Sequence, residues 1–188
     1  REARAMSALN HPNIVKFFGH GGSQDNHLFL VMEVIRGSHI GALHRKLGCF
    51  PETVLAAIGL ELASALAHAH SFGLIHRDLK PENVFLHRGN LTLADFGIVK
   101  ALDEDTPLGP QAAKATEIIG TPGFMAPEQL QQQALYPQTD VFALGALLYY
   151  LATGKVLYEG DSPYSLIKMM RETRPTPLAE LRPEISEE

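Results

Sequence analysis

The sequence predicts an α+β fold made of two unequal parts. A short helical pattern and two apolar, β-prone segments occupy the first 36 residues, and longer helical patterns fill most of the remainder. Strands gathered near one end of a chain and helices near the other are typical of α+β folds, whereas regular alternation indicates α/β folds. We therefore divide the chain into a smaller part, 1–36, and a larger, mostly helical part, 37–188.

The smaller part begins with a helical pattern and continues with a hairpin. Glu2, Met6 and Leu9 share one helical face, and the Asn-His-Pro sequence that follows Leu9 ends that helix. The segments Ile14–Phe18 and Leu28–Val34 are apolar and β-prone, which predicts two antiparallel strands. The connection predicted between them contains Gly21, Gly22, Asp25 and Asn26.

The larger part opens with a break at Gly37 and then a long helix that starts at Pro51-Glu52. Proline fits the first turn of a helix, and a glutamate there suits the positive helix end. Apolar residues then recur with helical spacing up to Gly73, which predicts one buried face. That face consists of Leu55, Ile58, Leu62, Ala65, Leu66 and Ala69.

Two short strands and two further helices complete the prediction. Val84–Leu86 and Leu91–Ala94 flank a turn at His87–Asn90. Asp140–Leu151 is almost wholly apolar and predicts a helix buried on all sides. A second helix runs from Ser162-Pro163 to about Glu172. Residues 101–122 lack regular periodicity and predict an exposed, mobile loop, and the proline-containing tail predicts another loop.

Composition excludes several classes of function. The 188 residues carry 16 Lys plus Arg and 21 Asp plus Glu, for a net charge of −5. Because phosphate backbones are bound by basic surfaces, this mild acidity argues against nucleic acid as the main partner. The single cysteine, Cys49, excludes an internal disulfide and indicates a reducing compartment. The most apolar stretch, Ala143–Ala152, is shorter than the ~20 residues that span a bilayer, so we expect no membrane segment in this chain.

Three motifs in order carry the functional prediction. His76–Asn83 reads HRDLKPEN, Asp95–Gly97 reads DFG, and Ala126–Glu128 reads APE. Each motif alone is weak, but together, at these spacings, they resemble the eukaryotic-type (Hanks-type) protein kinase family. The resemblance extends over essentially all 188 residues. It implies a bilobal protein-kinase fold, with 1–36 as part of the N-lobe and 37–188 as the C-lobe.

The resemblance implies a role for each residue of the catalytic loop. Asp78 would accept the proton of the substrate hydroxyl, and Lys80 would neutralise charge on the transferred phosphate. Asn83 and Asp95 would bind two Mg²⁺ ions, because hard cations prefer oxygen ligands. Thr121 would bridge Asp78 and Lys80 and shape the acceptor pocket.

A second group of residues is implied to bind ATP. Glu2 resembles the helix glutamate that pairs with the family's ATP-binding lysine. Met32 resembles the gatekeeper, and the main-chain groups of Glu33 and Ile35 would hydrogen-bond adenine. Phe85 resembles the residue that packs below the adenine ring, and ordinary core packing is an alternative role for it.

Other residues are implied to support the site. Asp140 is expected to bind main-chain amides of the catalytic loop, although a plain helix N-terminal carboxylate is the alternative. His76 is expected to be buried and to pack, and Phe96 is expected to belong to the core. The sequences at Asp78–Asn83 and at Gly120–Glu128 resemble the serine/threonine branch. The style of the loop and of Gly73–His76 resembles bacterial members of the family.

The resemblance thus implies a non-specific serine/threonine protein kinase that uses ATP and Mg²⁺ in cytoplasmic signalling, with or without a membrane tether elsewhere. Its partners would be protein substrates with Ser or Thr, and a second copy for autophosphorylation. The alternative is a pseudokinase or regulatory binding module. The 188 residues contain neither the family's glycine-rich loop nor its Val-Ala-Ile-Lys lysine. We therefore expect a truncated domain that is inactive when taken alone.

The segment Ala101–Ile119 is predicted to be a phosphorylation switch. Thr116 is the best candidate acceptor and Thr106 the second, because a phosphate there gives Arg77, next to Asp78, a charge-assisted partner that orders the loop. Mass spectrometry of the active full-length protein should find the modification, and a Thr106→Ala, Thr116→Ala double variant should lose activity. An unmodified segment together with full activity of the double variant would contradict this prediction.

Overall fold

The computed structural model describes residues 6–22, 28–96 and 122–185, in which five strands form two small sheets and helices fill most of the remainder. Residues 6–8 are helical, and single 3₁₀ turns occupy Pro81–Asn83 and Pro122–Phe124. The strands are β1 (Phe17–Gly22), β2 (Leu28–Met32), β3 (Ser38–His39), β4 (Val84–His87) and β5 (Asn90–Leu93). The helices are α1 (Ile40–Leu47), α2 (Glu52–Ser71), α3 (Pro127–Leu130), α4 (Pro137–Thr153), α5 (Pro163–Glu172) and α6 (Leu178–Leu181).

The bounds predicted for the first strand, Ile14–Phe18, were wrong. Strand β1 begins only at Phe17, because the residues before it pair with the larger part of the molecule. The Val15 amide donates to the Leu93 carbonyl at 2.9 Å, and Ile14 forms a parallel bridge with Leu93. These bonds attach the chain ahead of the hairpin to the edge of β5.

The predicted hairpin connection is also corrected, because Gly21 and Gly22 lie inside β1. Gly21 pairs with Phe29 of β2, and a Cβ built on Gly21 would lie 2.5 Å from the Phe29 ring. The ring thus covers the backbone of Gly21, where a larger residue would displace the ring or the strand. Asp25 and Asn26, also predicted in this connection, lie outside the described residues.

The second sheet has the order β3-β4-β5, with both pairs antiparallel. Its β4-β5 hairpin confirms the turn predicted at His87–Asn90. Arg88 and Gly89 have φ values of 51° and 84°, and positive φ at both central residues is the geometry that matches the twist of a two-residue hairpin. Strand β4 therefore leaves the catalytic loop and β5 returns directly toward the residues before Phe96.

The long helix predicted from Pro51-Glu52 is confirmed as α2, and its six predicted core residues are the six that are buried. The helix is long and apolar enough to cross a membrane, with a mean hydropathy of 1.3. Core helices share this composition, and Leu62, at its centre, is fully buried. The evidence for a membrane span is therefore weak.

Helix α4 is longer than Asp140–Leu151 and is not buried on all sides, so this prediction was wrong. It begins at Pro137, and Val141 on its outer face is 62% exposed. The composition predicts burial around the whole helix, but only one of its faces packs on α2 in the described chain. The helix predicted at Ser162-Pro163 is confirmed as α5, capped by the Ser162 hydroxyl.

Three short helices, α1, α3 and α6, were not predicted. Helix α1 follows directly from β3, and the His39 side chain accepts a hydrogen bond from the Ala42 amide at its N-terminus. Helix α6 lies in the tail that was predicted to be a loop. Arg182, which follows it, donates to the carbonyls of Phe50 and Ala152 and so ties the tail to the start of α2 and the end of α4.

One apolar core joins both sheets and the two long helices. It includes Met6, Phe17 of β1, Leu93 of β5, Leu62 of α2 and Leu147 of α4. A separate small core of Met125, Leu130 and Leu166 packs the chain before α3 against α5. The first core positions the catalytic loop, and the second positions the segment that faces it.

Leu62→Ala should destabilise the fold much more strongly than Leu60→Ala, because Leu62 is 0% exposed and Leu60 is 74% exposed on the same helix. A leucine-to-alanine change in a core costs about 2–5 kcal/mol, whereas an exposed one costs about 0.5 kcal/mol or less. Urea unfolding of the two variants measures the difference. Equal free energies of unfolding would show that the α2–α4 contact is not the core of this chain.

Candidate active site

A fully buried carboxylate, Asp140 in the first turn of α4, holds the catalytic loop. Its Oδ2 accepts hydrogen bonds from the His76 amide at 2.8 Å and from His70 Nε2 at 2.7 Å. Its Oδ1 accepts a hydrogen bond from the Arg77 amide at 2.9 Å. The expected binding of main-chain amides is thus confirmed, since a helix N-terminal carboxylate alone would not reach another segment.

His76 is fully buried, as predicted, and links the catalytic loop to the residues around Asp95. Its Nδ1 accepts a hydrogen bond from the Asp78 amide at 3.3 Å, so Nε2 carries the proton and donates to the Ala94 carbonyl at 2.9 Å. The ring also packs on Phe96, itself buried as predicted, with centroids 4.7 Å apart. His76 is therefore a structural bridge.

Burial lowers the pKa of His76 below its ordinary value, although the nearby Asp140 carboxylate opposes this shift. The imidazole is therefore neutral at neutral pH, which suits its role as donor to one carbonyl and acceptor from one amide. The unfolded chain takes up a proton on this histidine below about pH 6.5, whereas the folded chain does not. The contribution of His76 to stability consequently decreases as the pH falls below that value.

Asp78, Lys80 and Asn83 converge in the structure as the sequence predicts. Lys80 Nζ lies 2.7 Å from Asp78 Oδ2, and Asn83 Nδ2 donates to the same oxygen at 3.2 Å and to the Asp78 carbonyl at 2.8 Å. Within the described residues, these side-chain contacts both fall on Oδ2. The Asp78 and Lys80 side chains are 29% and 21% exposed, so both reach solvent.

Asn83 and Asp95 occupy neighbouring positions at the base of the second sheet. The Ala94 amide donates to the Asn83 carbonyl at 2.9 Å, which places Asp95 one residue beyond this link. Asn83 uses its amide nitrogen on Asp78, so Oδ1 is its atom for a cation, and Asp95 has an exposed carboxylate. An amide oxygen and a carboxylate suit Mg²⁺. Asp95 also has a φ of 54°, an unusual value for a residue with a side chain.

The predicted adenine-binding residues lie at and just after the end of β2 and in β4. Met32 is the last residue of β2 and pairs with Phe17. The Glu33 amide donates to the Lys16 carbonyl at 2.8 Å, so its carbonyl is the main-chain group left for a nucleotide. Phe85 in β4 is partly exposed and packs edge-on against His39 at 6.3 Å. Both alternatives for Phe85, core packing and a floor for a ring, are compatible with this position.

A short segment before α3 faces the catalytic loop across a pocket. Phe124, Met125 and Gln129 line this pocket together with Asp78 and Lys80. Phe124 and Met125 are buried, so the segment is held from behind by packing. The pocket thus brings the predicted catalytic base and the chain around the APE motif to one place.

Glu128, the acidic residue of the APE motif, accepts a hydrogen bond from the Thr139 hydroxyl at 2.6 Å. Thr139 is 1% exposed in the first turn of α4, directly beside Asp140. Within the described chain, Glu128 therefore anchors α3 to the same helix turn that holds the catalytic loop.

Two predicted site residues, Glu2 and Thr121, lie outside the described residues, as do Gly97 and the threonines of the predicted switch. Two residues of the site were not predicted, His70 and Gln129. His70 lies four residues after Leu66 of the buried face of α2, and this spacing was the available signal. Gln129 donates to the Arg77 carbonyl, 52 residues earlier, and no local pattern indicates that bond.

A carboxylate supported by a lysine and an asparagine, with a second exposed carboxylate nearby, is the arrangement expected of a protein-kinase catalytic loop. The chain belongs to the protein kinase domain family, whose model matches residues 1–187. Its structure resembles the crystal structure of the PknI kinase domain of Mycobacterium tuberculosis, with a TM-score of 0.73 and 25% identity. The match covers 98% of this chain and 62% of that chain.

Curated relatives are serine/threonine-protein kinases. The chain is 36% identical to pkn3 of Myxococcus xanthus, over 98% of this chain and 34% of that protein. It is 37% identical to PknL of Mycobacterium tuberculosis, over 88% of this chain and 40% of that protein. The chain therefore spans about a third of the length of these relatives, and it represents part of a Hanks-type kinase domain.

Asp140→Ala should destabilise the protein and release the catalytic loop. The change leaves the buried amides of His76 and Arg77 without an acceptor, and each such loss costs about 1–3 kcal/mol. Urea unfolding measures the loss, and hydrogen exchange of those two amides should accelerate. Asp161→Ala, at an exposed position, is the control. Equal stability and equal exchange in both variants would contradict the role assigned to Asp140.

Proposed function

We propose that the full-length protein transfers the γ-phosphoryl group of ATP to serine and threonine hydroxyls of proteins. The observation that carries the proposal is the convergence of Lys80 and Asn83 on one oxygen of Asp78. This arrangement fixes the carboxylate at the pocket that Asp78 lines, and its other oxygen is proposed to meet the substrate hydroxyl. A carboxylate so placed accepts the hydrogen bond of an acceptor hydroxyl, which is the first requirement of the reaction.

Each residue then has a defined task. Asp78 Oδ1 would orient the hydroxyl and receive its proton as the hydroxyl oxygen bonds to the γ-phosphorus and the bond from that phosphorus to the ADP oxygen breaks. The partly exposed ammonium of Lys80 lies beside the Asp78 carboxylate and would stabilise negative charge on the transferred phosphoryl group. Asn83 and Asp95 are proposed to hold Mg²⁺ through oxygen atoms. When bound, Mg-ATP supplies the phosphoryl group and neutralises charge on the phosphates.

The nucleotide is proposed to bind between β2 and β4. The Glu33 carbonyl and the Ile35 amide would bond the adenine edge beside Met32, and Phe85 would support the ring from below. Glu2 is proposed to pair with a lysine of the complete kinase domain. Phosphoryl transfer depends on positioning the nucleotide and the acceptor more than on covalent catalysis. A site built mainly from main-chain groups and carboxylates agrees with this requirement.

Specificity for serine and threonine is supported by the names of the relatives and by the sequence LKPEN after Asp78. The partners would be protein substrates and, for autophosphorylation, a second copy, and the site would work in the cytoplasm. The activity is proposed for the full-length protein. The 188-residue chain alone is expected to lack it, since its sequence contains no glycine-rich phosphate-binding loop.

Asp78→Asn in the full-length protein should reduce phosphoryl transfer about 10²–10⁴-fold without changing the fold, because the amide cannot take the hydroxyl proton. Transfer of labelled phosphate from ATP to a generic protein substrate measures the rate, and Asp161→Asn is the matched control at an exposed position. Wild-type turnover in a folded Asp78→Asn variant would remove Asp78 from the mechanism. A wild-type protein that binds ATP without transfer would instead identify a pseudokinase or a regulatory binding module.

A further inference from the structure

The residue before the proposed base has an unusual backbone that requires support. Arg77 has a φ of 68°, in the left-handed region that disfavours residues with a Cβ. Such conformations are energetically unfavourable and persist when surrounding contacts hold them. The backbone conformation of Arg77 sets the direction in which the chain enters Asp78. The contacts that hold Arg77 therefore also determine the position of the Asp78 carboxylate.

Arg77 is held by one side chain on each side of its backbone. Its amide donates to Asp140 Oδ1 at 2.9 Å, from the helix below. Its carbonyl accepts a hydrogen bond from Gln129 Nε2 at 2.7 Å, from the segment across the pocket. The second bond is the shorter of the two, and it crosses between two parts of the chain that are 52 residues apart.

Gln129 uses both ends of its amide. Its Oε1 accepts a hydrogen bond from the Ala126 amide at 3.0 Å, while its Nε2 donates to Arg77. Ala126 directly follows Phe124 and Met125, which line the pocket beside Asp78. A single side chain therefore fixes the segment on one wall of the pocket to the residue that positions the base on the other wall.

The bond to Ala126 has an ordinary explanation, since a polar side chain at the third position of a helix often accepts from the amide before that helix. The bond to Arg77 does not, because helix capping involves no donor toward a distant carbonyl. Among side chains of this length, glutamine provides both an acceptor and a donor, whereas glutamate provides acceptors alone. The two contacts can therefore be separated by substitution.

We propose that Gln129 is a positioning residue for the acceptor: through its bond to the Arg77 carbonyl it sets the distance between the Asp78 carboxylate and a substrate chain that lies against Phe124 and Met125. This inference rests on the proposed function and adds the device that aligns base and acceptor. Nucleotide binding, between β2 and β4, is not part of that device. Loss of the bond therefore affects transfer to protein more than affinity for ATP.

The test compares Gln129→Glu and Gln129→Met in the full-length protein, with Gln133→Met as the control at an exposed position. The glutamate keeps the bond from Ala126 but places an acceptor against the Arg77 carbonyl, and the methionine loses both bonds at similar size. Steady-state assays give kcat and KM for a generic protein substrate and KM for ATP. The ratio of phosphate transferred to protein over ATP consumed is measured in parallel.

We expect both Gln129 variants to lower kcat for protein about 10- to 100-fold, since misplacement by ~1 Å costs about that much, with KM for ATP unchanged within about twofold. The transfer ratio should also fall, because water needs no alignment by the pocket wall. Activity of Gln129→Glu close to that of Gln133→Met would overturn the proposal and leave only helix capping. A wild-type protein without any transfer would instead refute the proposed function.

Discussion

The structure depends on one buried carboxylate. Asp140 is 1% exposed, at the N-terminal turn of a helix whose buried residues beyond that turn are apolar. Such a group is costly to bury unless its oxygens are satisfied, and three donors, two of them main-chain amides of the catalytic loop, satisfy it here. The cost of burial is what makes the arrangement specific, since any loop conformation that withdraws the amides leaves a charge unpaired in the core.

This constraint explains why a segment without regular secondary structure holds its geometry. Residues 74–79 form neither helix nor strand, and their backbone groups require partners from other elements. Helix α4 supplies Asp140, and helix α3 supplies Gln129. The His76 ring hydrogen-bonds the Ala94 carbonyl and packs on Phe96, and so links the catalytic loop to the residues on either side of Asp95. Groups that are distant in the sequence thus set the positions of both carboxylates in the site.

The two parts of the molecule are joined in a similar way. The chain ahead of the first hairpin bonds to β5 through Val15 and Leu93, and Met6 and Phe17 enter the same apolar core as α2 and α4. Strand β2, which leads to the predicted nucleotide-binding residues, is therefore anchored to the sheet whose β4-β5 hairpin is flanked by Asn83 and Asp95. A small hairpin is marginal by itself, and this attachment provides the packing that it lacks.

The sequence by itself predicted the family, the α+β class, the buried face of α2, the tight turn after β4 and the candidate catalytic residues. Each depends on residue types at short spacing, which periodicity and motif express directly. Tertiary structure decided the rest. Ile14 and Val15 are β-prone in any context, and only the available edge of β5 draws them away from the hairpin. The apolar composition of α4 indicated burial all round, yet which face is covered depends on its neighbours. Gln129 and Arg77 meet because helix α3 packs against the catalytic loop, and no local propensity encodes that contact.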